Sequence, residues 1–292
     1  MDDLWYSECY TPSARFSIKV KQQLHFESSD YQTIAVFDSE DFGRFLTIDG
    51  VMMLTQRDEF IYHEMITHPA MAVNPGIKRV LVIGAGDGGV VREMSKYPHL
   101  DTIDVVEIDA RVVAVCKEYL PQTACGFDDP RVQLHIQDGL KFVRHQEDAY
   151  DLIIVDSTDP FGPGEVLFTK EFYGNCLKAL TRQGILINQN ESPFYKDDVL
   201  AMQSAHRCIS QVFPVSEIYQ AHIPTYPSGH WLFGFASKGL HPVADLQQDE
   251  WDRMGISTHY YNTDLHRGAF CLPNYVKELL ADGKEHPYFS GL

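Results

Sequence analysis

Four short apolar runs between residues 80 and 155 alternate with stretches of helical period. Alternating strands and helices are typical of a parallel sheet covered by helices, and ligands of such sheets bind at the carboxyl ends of the strands. Each run leads into an acidic residue. The runs are 80–83, 103–106, 132–136 and 152–155, and the acidic residues are Asp87, Glu107, Asp138 and Asp156. The pattern therefore predicts an anionic pocket suited to a cationic, hydroxyl-rich ligand.

The first 65 residues have a different pattern. Residues 15–55 are predicted to be β-structure, and Asp49-Gly50 between two apolar stretches is a two-residue hairpin signal. The stretch from Thr55 to Glu59 has the form of a capping box that opens a helix. The sequence thus predicts a small antiparallel β-domain over residues 1–65 and a larger α/β domain over residues 66–292.

Further helices and strands are predicted within the α/β domain. Residues 111–119, 170–180 and 197–213 have helical character, the last with apolar positions near a period of 3.6. The runs 215–220 and 231–236 are predicted to be closing edge strands. These elements complete an α/β architecture.

Composition narrows the classes of partner. The net charge of −17 argues against nucleic acid and anionic membrane surfaces. The beginning of the chain lacks the pattern of a signal peptide, and the six scattered cysteines form no CxxC pair, so we expect reduced thiols in a cytoplasmic protein. His63 and His68 are five residues apart, whereas the helical zinc motif requires four, so we expect no metal site.

A glycine-rich loop follows the first apolar run, and Glu107 ends the next run. The loop reads Gly84-Ala85-Gly86-Asp87-Gly88-Gly89. This is the context of a nucleotide-binding loop, in which Glu107 accepts hydrogen bonds from ribose hydroxyls. Asp87 would repel a pyrophosphate, which disfavours NAD and favours an adenosyl sulfonium that carries an ammonium group. Asp138 can accept from an adenine amino group. A tight turn without a ligand is the alternative interpretation.

Asp156 and Asp159 form a second acidic cluster at the end of the fourth run. The following residues 161–165 are rich in Gly and Pro, which predicts a loop that closes over a site. In isolation the motif would favour a simple turn that Asp159-Pro160 begins and Asp156 caps. Next to Asp87 and Glu107 at the same sheet edge, a functional role is favoured.

Jointly, these motifs resemble those of the aminopropyltransferases of the spermidine synthase family. Residues 57–64 and 223–229 belong to the same pattern, which extends from about residue 5 to residue 273. The resemblance implies a methyltransferase-like Rossmann domain with a small N-terminal antiparallel β-domain, assembled as a homodimer or homotetramer. It also implies transfer of an aminopropyl group from decarboxylated S-adenosylmethionine to putrescine, giving spermidine and 5′-methylthioadenosine. The donor is then a co-substrate, and no cofactor or metal is expected.

The resemblance also assigns site residues, with Asp156 as the base. Amine contacts are implied for Tyr62, His63, Asp87, Asp156, Asp159 and Tyr226, and nucleoside contacts for Gln32, Gly84, Gly86, Glu107, Asp138, Gly139 and Pro163. For Tyr62, His63 and Tyr226 a packing role is the competing interpretation. Proton transfer from an ordinary alkylamine to an ordinary aspartate is uphill by about 6 pKa units, or about 9 kcal/mol. Asp156 therefore acts as base only if the cavity shifts one of these pKa values, and capture of a neutral amine is the alternative.

Other activities remain compatible with the sequence. The same chemistry on agmatine, cadaverine or 1,3-diaminopropane differs only in pocket length and in the site for the second amine. An S-adenosylmethionine-dependent methyltransferase would share the Rossmann half, although Asp87 and the pair Asp156 and Asp159 argue against it. A non-catalytic polyamine-binding protein is the third alternative, and a turnover assay separates it from the enzymes.

Overall fold

The chain folds into two β-sheets and surrounding helices, described by a computed structural model over residues 4–157 and 167–282. The strands are β1 (Leu4–Thr11), β2 (Ala14–Ser28), β3 (Thr33–Ser39), β4 (Arg44–Ile48), β5 (Val51–Thr55), β6 (Arg79–Gly84), β7 (Thr102–Glu107), β8 (Val132–Ile136), β9 (Tyr150–Asp156), β10 (Leu180–Gln189), β11 (Val215–His222) and β12 (His230–Ser237). The helices are α1 (Glu59–Val73), α2 (Gly89–Ser95), α3 (Ala110–Tyr119), α4 (Pro121–Ala124), α5 (Gly139–Arg144), α6 (Lys170–Ala179), α7 (Lys196–Ser210), α8 (Gln248–Met254), α9 (Thr263–Ala269) and α10 (Asn274–Asp282). Helices α3, α6 and α7 confirm the three helices predicted over residues 111–119, 170–180 and 197–213.

The first sheet is an antiparallel meander in the order β1-β2-β3-β4-β5. Asp49 and Gly50 join β4 to β5 with φ angles of 51° and 79°, the left-handed region that a tight hairpin of this kind requires. This confirms the predicted hairpin. Apolar residues of β3 and β4, including Ile34 and Leu46, pack against Val112 and Val115 of α3. The small sheet is thereby held against the larger domain by a shared apolar core.

The second sheet has the order β11-β12-β10-β9-β6-β7-β8. The five strands from β10 to β8 run parallel, so their carboxyl ends meet at one edge, as predicted. The expectation that residues 231–236 form an edge strand is wrong. Strand β12 pairs with both β10 and β11, and its residues from Trp231 to Ser237 are all buried, as an interior strand requires.

The start of α1 differs from the predicted capping box. Asp58 stands before the helix but makes no side-chain cap. Its Oδ1 accepts a hydrogen bond from Thr55 Oγ1 at 2.6 Å, and its Oδ2 accepts from the backbone N–H and the hydroxyl of Thr225 at 3.2 and 2.8 Å. The capping prediction is therefore wrong. The Asp58 carboxylate bonds to Thr225 instead and so ties the loop that carries Tyr226 to the start of α1.

Helix α1 links the two sheets along the chain. Its residues Ile61, Met65 and Ile66 belong to the same apolar core as Val80 and Val82 of β6. The domain boundary at residue 65 stays a prediction. None of the helices in the described part of the chain has the length and apolar character that a bilayer crossing requires.

Candidate active site

A cavity of about 360 Å³ lies at the carboxyl edge of the second sheet and reaches the first sheet. All four predicted acidic residues line it: Asp87, Glu107, Asp138 and Asp156. The prediction that the strand ends build one anionic pocket is confirmed.

The glycine loop is held against β9 by close backbone contact. Gly84 lies opposite Asp156 in the parallel register and has a φ of 90°. The backbone N–H of Ala85 donates to the carbonyl oxygen of Asp156 at 2.9 Å. A Cβ atom at Gly84 would collide with that carbonyl, and one at Gly86 would press on Val112 and the Glu107 carboxylate. Glycine is needed at both positions because backbone and carboxylate approach so closely.

Asp156 lines the cavity and is held by a neighbouring tyrosine. The Tyr62 hydroxyl donates to Asp156 Oδ1 at 2.5 Å. Asp156 Oδ2 is buried and has no hydrogen-bond partner among the described residues. Burial and the nearby Asp87 charge raise the pKa of Asp156 to about 7, although His63 and the Tyr62 hydroxyl oppose the rise. The carboxylate thus has an unused acceptor and a pKa near neutrality, two properties of a general base.

Asp87 is fixed by His63 and by the loop backbone. Asp87 Oδ1 accepts from the Gly89 N–H at 2.7 Å and lies 3.2 Å from His63 Nε2, while His63 Nδ1 lies 2.5 Å from Glu59 Oε2. Burial alone would lower the pKa of His63, but the Asp87 and Glu59 carboxylates raise it to about 10. Burial would raise the pKa of Asp87, but the His63 charge lowers it below its usual range. Both His63 ring nitrogens contact carboxylates, so a hydrogen bond from His63 to an amine stays a prediction.

Glu107 and Gln32 mark the other side of the glycine loop. Glu107 Oε1 accepts from the Asp109 backbone N–H at 2.8 Å. Burial raises the pKa of Glu107 to about 7, although that N–H opposes the rise. Asp109 Oδ2 accepts from Ser29 Oγ at 2.6 Å and from Gln32 Nε2 at 3.1 Å. The first sheet therefore delivers Gln32 to the same part of the cavity as Glu107.

Asp138 and Gly139 lie where β8 leads into α5. Asp138 caps this helix, because its Oδ1 accepts from the Lys141 N–H at 3.1 Å. Gly139 lies against Ile83 with no room for a Cβ atom. Both residues line the cavity, and their contact with an adenine stays a prediction.

Aromatic side chains line the part of the cavity next to Asp156. The rings of Tyr62 and Tyr226 are 5.8 Å apart, and those of Tyr226 and Trp231 are 4.8 Å apart. The Tyr226 hydroxyl donates to the Met53 carbonyl oxygen at 2.5 Å. Tyr226 therefore presents ring surface to the cavity while its hydroxyl fastens it to the first sheet.

The structure adds cavity residues that the sequence analysis missed. They are Glu8, Tyr10, Gln189, Glu191, Asp197, Asp198 and Trp231. Glu8 lies on β1, and its buried carboxylate accepts from the Met52 N–H at 2.8 Å. A carboxylate at an inward-facing position of a strand, such as Glu8, is a sequence signal for a functional site, because charged side chains are rarely buried. Asp197 and Asp198 give no such signal, because acids are common in the first turn of a helix.

Some predictions lie outside the described residues. They concern Asp159, Pro163 and the closing loop 161–165, and they stay predictions. Within residues 4–157 and 167–282, no three His, Cys, Asp or Glu side chains are grouped so as to hold a metal ion.

Comparison with known families gives two adjoining matches. The spermine/spermidine synthase domain matches residues 59–247, and the spermidine synthase tetramerisation domain matches residues 4–56. The second match indicates a homo-oligomer.

Curated relatives match along nearly their whole length. The polyamine aminopropyltransferase of Alkaliphilus oremlandii (strain OhILAs) is 62% identical, covering 97% of this chain and 100% of the relative. That of Clostridium beijerinckii (strain ATCC 51743 / NCIMB 8052) is 60% identical, covering 95% of this chain and 98% of the relative.

Solved structures agree with both the fold and the family. A spermidine synthase in complex with the transition state analogue AdoDATO is 41% identical with a TM-score of 0.92, covering 95% of this chain and 94% of that one. The spermidine synthase of Thermotoga maritima is 40% identical with a TM-score of 0.90 and the same coverage. The β-meander and the parallel sheet are thus parts of a shared architecture, and this chain belongs to the polyamine aminopropyltransferase family as an enzyme of the spermidine synthase type.

Proposed function

We propose that this aminopropyltransferase uses putrescine as acceptor and decarboxylated S-adenosylmethionine as donor, forming spermidine and 5′-methylthioadenosine, with Asp156 as the base. The observation that carries the proposal is the Asp156 carboxylate, which lines the cavity beside Asp87 with a buried, unused Oδ2. One amine of putrescine attacks the carbon next to the sulfonium, the C–S bond breaks, and Asp156 takes the proton of the attacking nitrogen.

The cavity reduces the mismatch between the amine and its base. With the pKa of Asp156 raised to about 7, the gap to an ordinary alkylamine at about 10.4 narrows to about 3 units, or about 4 kcal/mol. Desolvation of the amine lowers its pKa and narrows the gap further. The sulfonium is already a good leaving group, so alignment and this proton transfer are the main tasks of the enzyme.

The donor fits the acids on the glycine-loop side. Asp87 pairs with the aminopropyl ammonium, and its charge repels the carboxylate that ordinary S-adenosylmethionine carries. Glu107 accepts from the ribose hydroxyls, with Gln32 nearby. We assign the adenine to Asp138, Gly139 and Pro163, and the loop backbone at Gly84 and Gly86 to close contact with the nucleoside.

The acceptor fits the aromatic and acidic side of the cavity. The rings of Tyr62, Tyr226 and Trp231 supply apolar surface for the methylenes of a diamine. The acids Glu8, Asp197 and Asp198 also line the cavity, and we assign the second ammonium of the diamine to them. We further assign Asp159 to the acceptor amine, whereas His63 acts on the donor's ammonium through Asp87.

The purified enzyme should be incubated with decarboxylated S-adenosylmethionine and a panel of putrescine, cadaverine, agmatine and 1,3-diaminopropane, with products read by mass spectrometry. EDTA is present and no cofactor is added, because the sulfonium needs no electrophilic activation. Spermidine and 5′-methylthioadenosine are expected, with the highest kcat/KM for putrescine. Preference for another amine would change the proposed acceptor. The role of Asp156 as base would then still depend on the separate test with Asp156→Asn. Absence of aminopropyl transfer, or dependence on a metal, would contradict the proposal.

We also propose a dimeric or tetrameric enzyme that acts in the cytoplasm. The tetramerisation-domain match supports the assembly, and light scattering on the assay sample distinguishes the two states. The six free cysteines support a reducing compartment, which fractionation of cells checks.

The substitution Glu107→Gln is expected to weaken binding of 5′-methylthioadenosine by about 10- to 100-fold, since a hydrogen bond to a charged acceptor contributes about 1.5–3 kcal/mol. The parent enzyme should lose affinity as the pH falls below about 7, where Glu107 takes up a proton, and the variant should lack this dependence. Calorimetric titration with 5′-methylthioadenosine, which lacks the ammonium, isolates this contact. Equal affinities at pH 8 would remove Glu107 from the nucleoside site.

A further inference from the structure

Three side chains of alternating charge stand behind Asp87, beginning with His63, which itself lines the cavity. His63 contacts Asp87, Glu59 contacts His63, and Arg92 holds Glu59 by two hydrogen bonds, from NH1 to Oε1 at 2.7 Å and from NH2 to Oε2 at 2.9 Å. Neither Glu59 nor Arg92 lines the cavity. Arg92, Glu59 and His63 together are called the Arg92 arm below.

The outer end of the Arg92 arm is fixed to the protein. Arg92 Nε donates to Glu93 Oε1 at 3.0 Å, and its NH1 donates to the Gln122 carbonyl oxygen at 3.3 Å. Glu59 is 8% exposed, and its carboxylate has contacts on both oxygens. A buried ion pair with this many hydrogen bonds holds one geometry, because loss of either partner leaves an uncompensated charge.

We propose that Glu59 and Arg92 are positioning residues that hold His63 as an imidazolium against Asp87 and thereby keep the cavity carboxylates ionised. The inference rests on the proposed roles of Asp87 and Asp156. His63 has a carboxylate oxygen at hydrogen-bond distance from each ring nitrogen. A carboxylate only accepts, so both nitrogens must carry protons, and a neutral ring would set a lone pair against a carboxylate oxygen.

The groups around His63 and Asp87 agree with this assignment. The titratable side chains that face the pair are Glu59 and Tyr62 on α1, Arg92 on α2, Cys116 on α3 and Asp156 on β9. Glu59 and Asp156 add their negative charges to that of Asp87, and the imidazolium compensates part of this charge. Its charge lowers the pKa of both Asp87 and Asp156.

The arm therefore controls the ionisation of the acids at the cavity. Without the Glu59 charge, His63 loses its proton at a lower pH, and a neutral His63 no longer opposes protonation of Asp87 and Asp156. The pKa of each carboxyl then rises, because the lost His63 charge outweighs the lost repulsion between Glu59 and Asp87. The pH below which the enzyme fails must therefore move upward. At high pH both carboxylates are ionised in any case, and the activity should recover.

The test is the pH profile of kcat/KM for Glu59→Gln with decarboxylated S-adenosylmethionine and putrescine. The acid limb should move up by about one pH unit, so that kcat/KM falls about tenfold near pH 6.5 and less than about threefold at pH 9. Arg92→Lys should shift the limb less, in the same direction. Glu27→Gln is the matched control, because Glu27 pairs with Arg111 through two contacts of 2.8 Å outside the cavity. Its profile should match that of the parent enzyme.

A second readout does not depend on turnover. In protein labelled with ¹⁵N-histidine, with His63 assigned from the missing signal of His63→Asn, both ring nitrogens should carry protons until near pH 10. Glu59→Gln should bring that limit below about pH 7, so that the ring is neutral at the pH where Asp156 titrates. A neutral His63 in the parent enzyme at pH 8 overturns the inference, as does a Glu59→Gln variant with an unshifted profile. Should Glu59→Gln not fold, Arg92→Lys and the parent titration decide the question.

The two proposals fail in different ways. Suppose that the protonation of His63 depends on Glu59 while Asp156→Asn keeps full turnover. The positioning role of Glu59 and Arg92 would then be supported, and Asp156 would be excluded as the base. A lower but unshifted profile of Glu59→Gln would reduce Glu59 to a structural role and leave the proposed function intact.

Discussion

Asp156→Asn is expected to lower kcat by about 10²- to 10⁴-fold, the range that a positioned general base contributes, while the affinity for 5′-methylthioadenosine changes little. The amide retains an oxygen that accepts from the Tyr62 hydroxyl at the Oδ1 position, so the shape of the site is kept. Only the ability to take the proton of the attacking amine is lost. Steady-state turnover with putrescine, together with calorimetric binding of the nucleoside, measures the two effects separately.

Tyr62→Phe is the matched control, because it removes the hydroxyl that contacts Asp156 and leaves the carboxylate. Its loss of kcat should be much smaller. With saturating donor, kcat of the parent enzyme should fall below about pH 7, where Asp156 becomes protonated, and the residual kcat of Asp156→Asn should lack this limb. Turnover by Asp156→Asn at the parent rate would instead favour capture of a neutral amine from solution.

Unfolding would not explain a loss of activity in Asp156→Asn. The folded protein raises the pKa of Asp156 to about 7, above the value of about 3.9 for an unfolded chain. Ionisation therefore disfavours the folded state, with no effect below the unfolded pKa and the full effect above pH 7. The variant should melt at the same or a higher temperature than the parent at pH 8, and the difference should vanish toward pH 4.

The predictable part of the site follows from local signals. Each of the four apolar runs forms a strand, and parallel strands bring Asp87, Glu107 and Asp156 to one edge without any knowledge of the loops. The hairpin at Asp49 and Gly50 was equally predictable, because two adjacent residues define it.

The failures concern contacts between distant parts of the chain. The sequence around Asp58 favours a capping box, but Thr225 competes for the carboxylate and is 167 positions away. The edge position predicted for residues 231–236 failed because strand order depends on the whole sheet. Glu8 was missed because it reaches the cavity only when the first sheet packs against α3. His63 was recognised, but its pairing with Glu59 and Asp87 depends on the approach of α1 to the glycine loop.

Asp87→Asn is expected to change the choice of donor. A buried charge pair that loses one partner costs about 3–5 kcal/mol, so binding of decarboxylated S-adenosylmethionine should weaken by about 10²- to 10³-fold. The amide oxygen still accepts from Gly89 N–H and His63, which preserves the loop. Affinity for 5′-methylthioadenosine should change little, because this nucleoside has no ammonium to pair with Asp87.

The sharper readout of Asp87→Asn is the ratio of affinities for the decarboxylated donor and for ordinary S-adenosylmethionine. The negative charge of Asp87 attracts the ammonium of the decarboxylated donor and repels the carboxylate of ordinary S-adenosylmethionine. Its removal should therefore weaken binding of the decarboxylated donor and strengthen binding of S-adenosylmethionine, and both effects lower the ratio. Asp138→Asn is the matched control, because Asp138 lines the cavity at the end of β8 and should affect all three nucleosides alike. Competition binding with the three ligands gives the ratios directly. An unchanged ratio in Asp87→Asn would assign donor selection to another group. A fall in the ratio that is confined to this variant would show that the Asp87 carboxylate distinguishes the two sulfonium compounds.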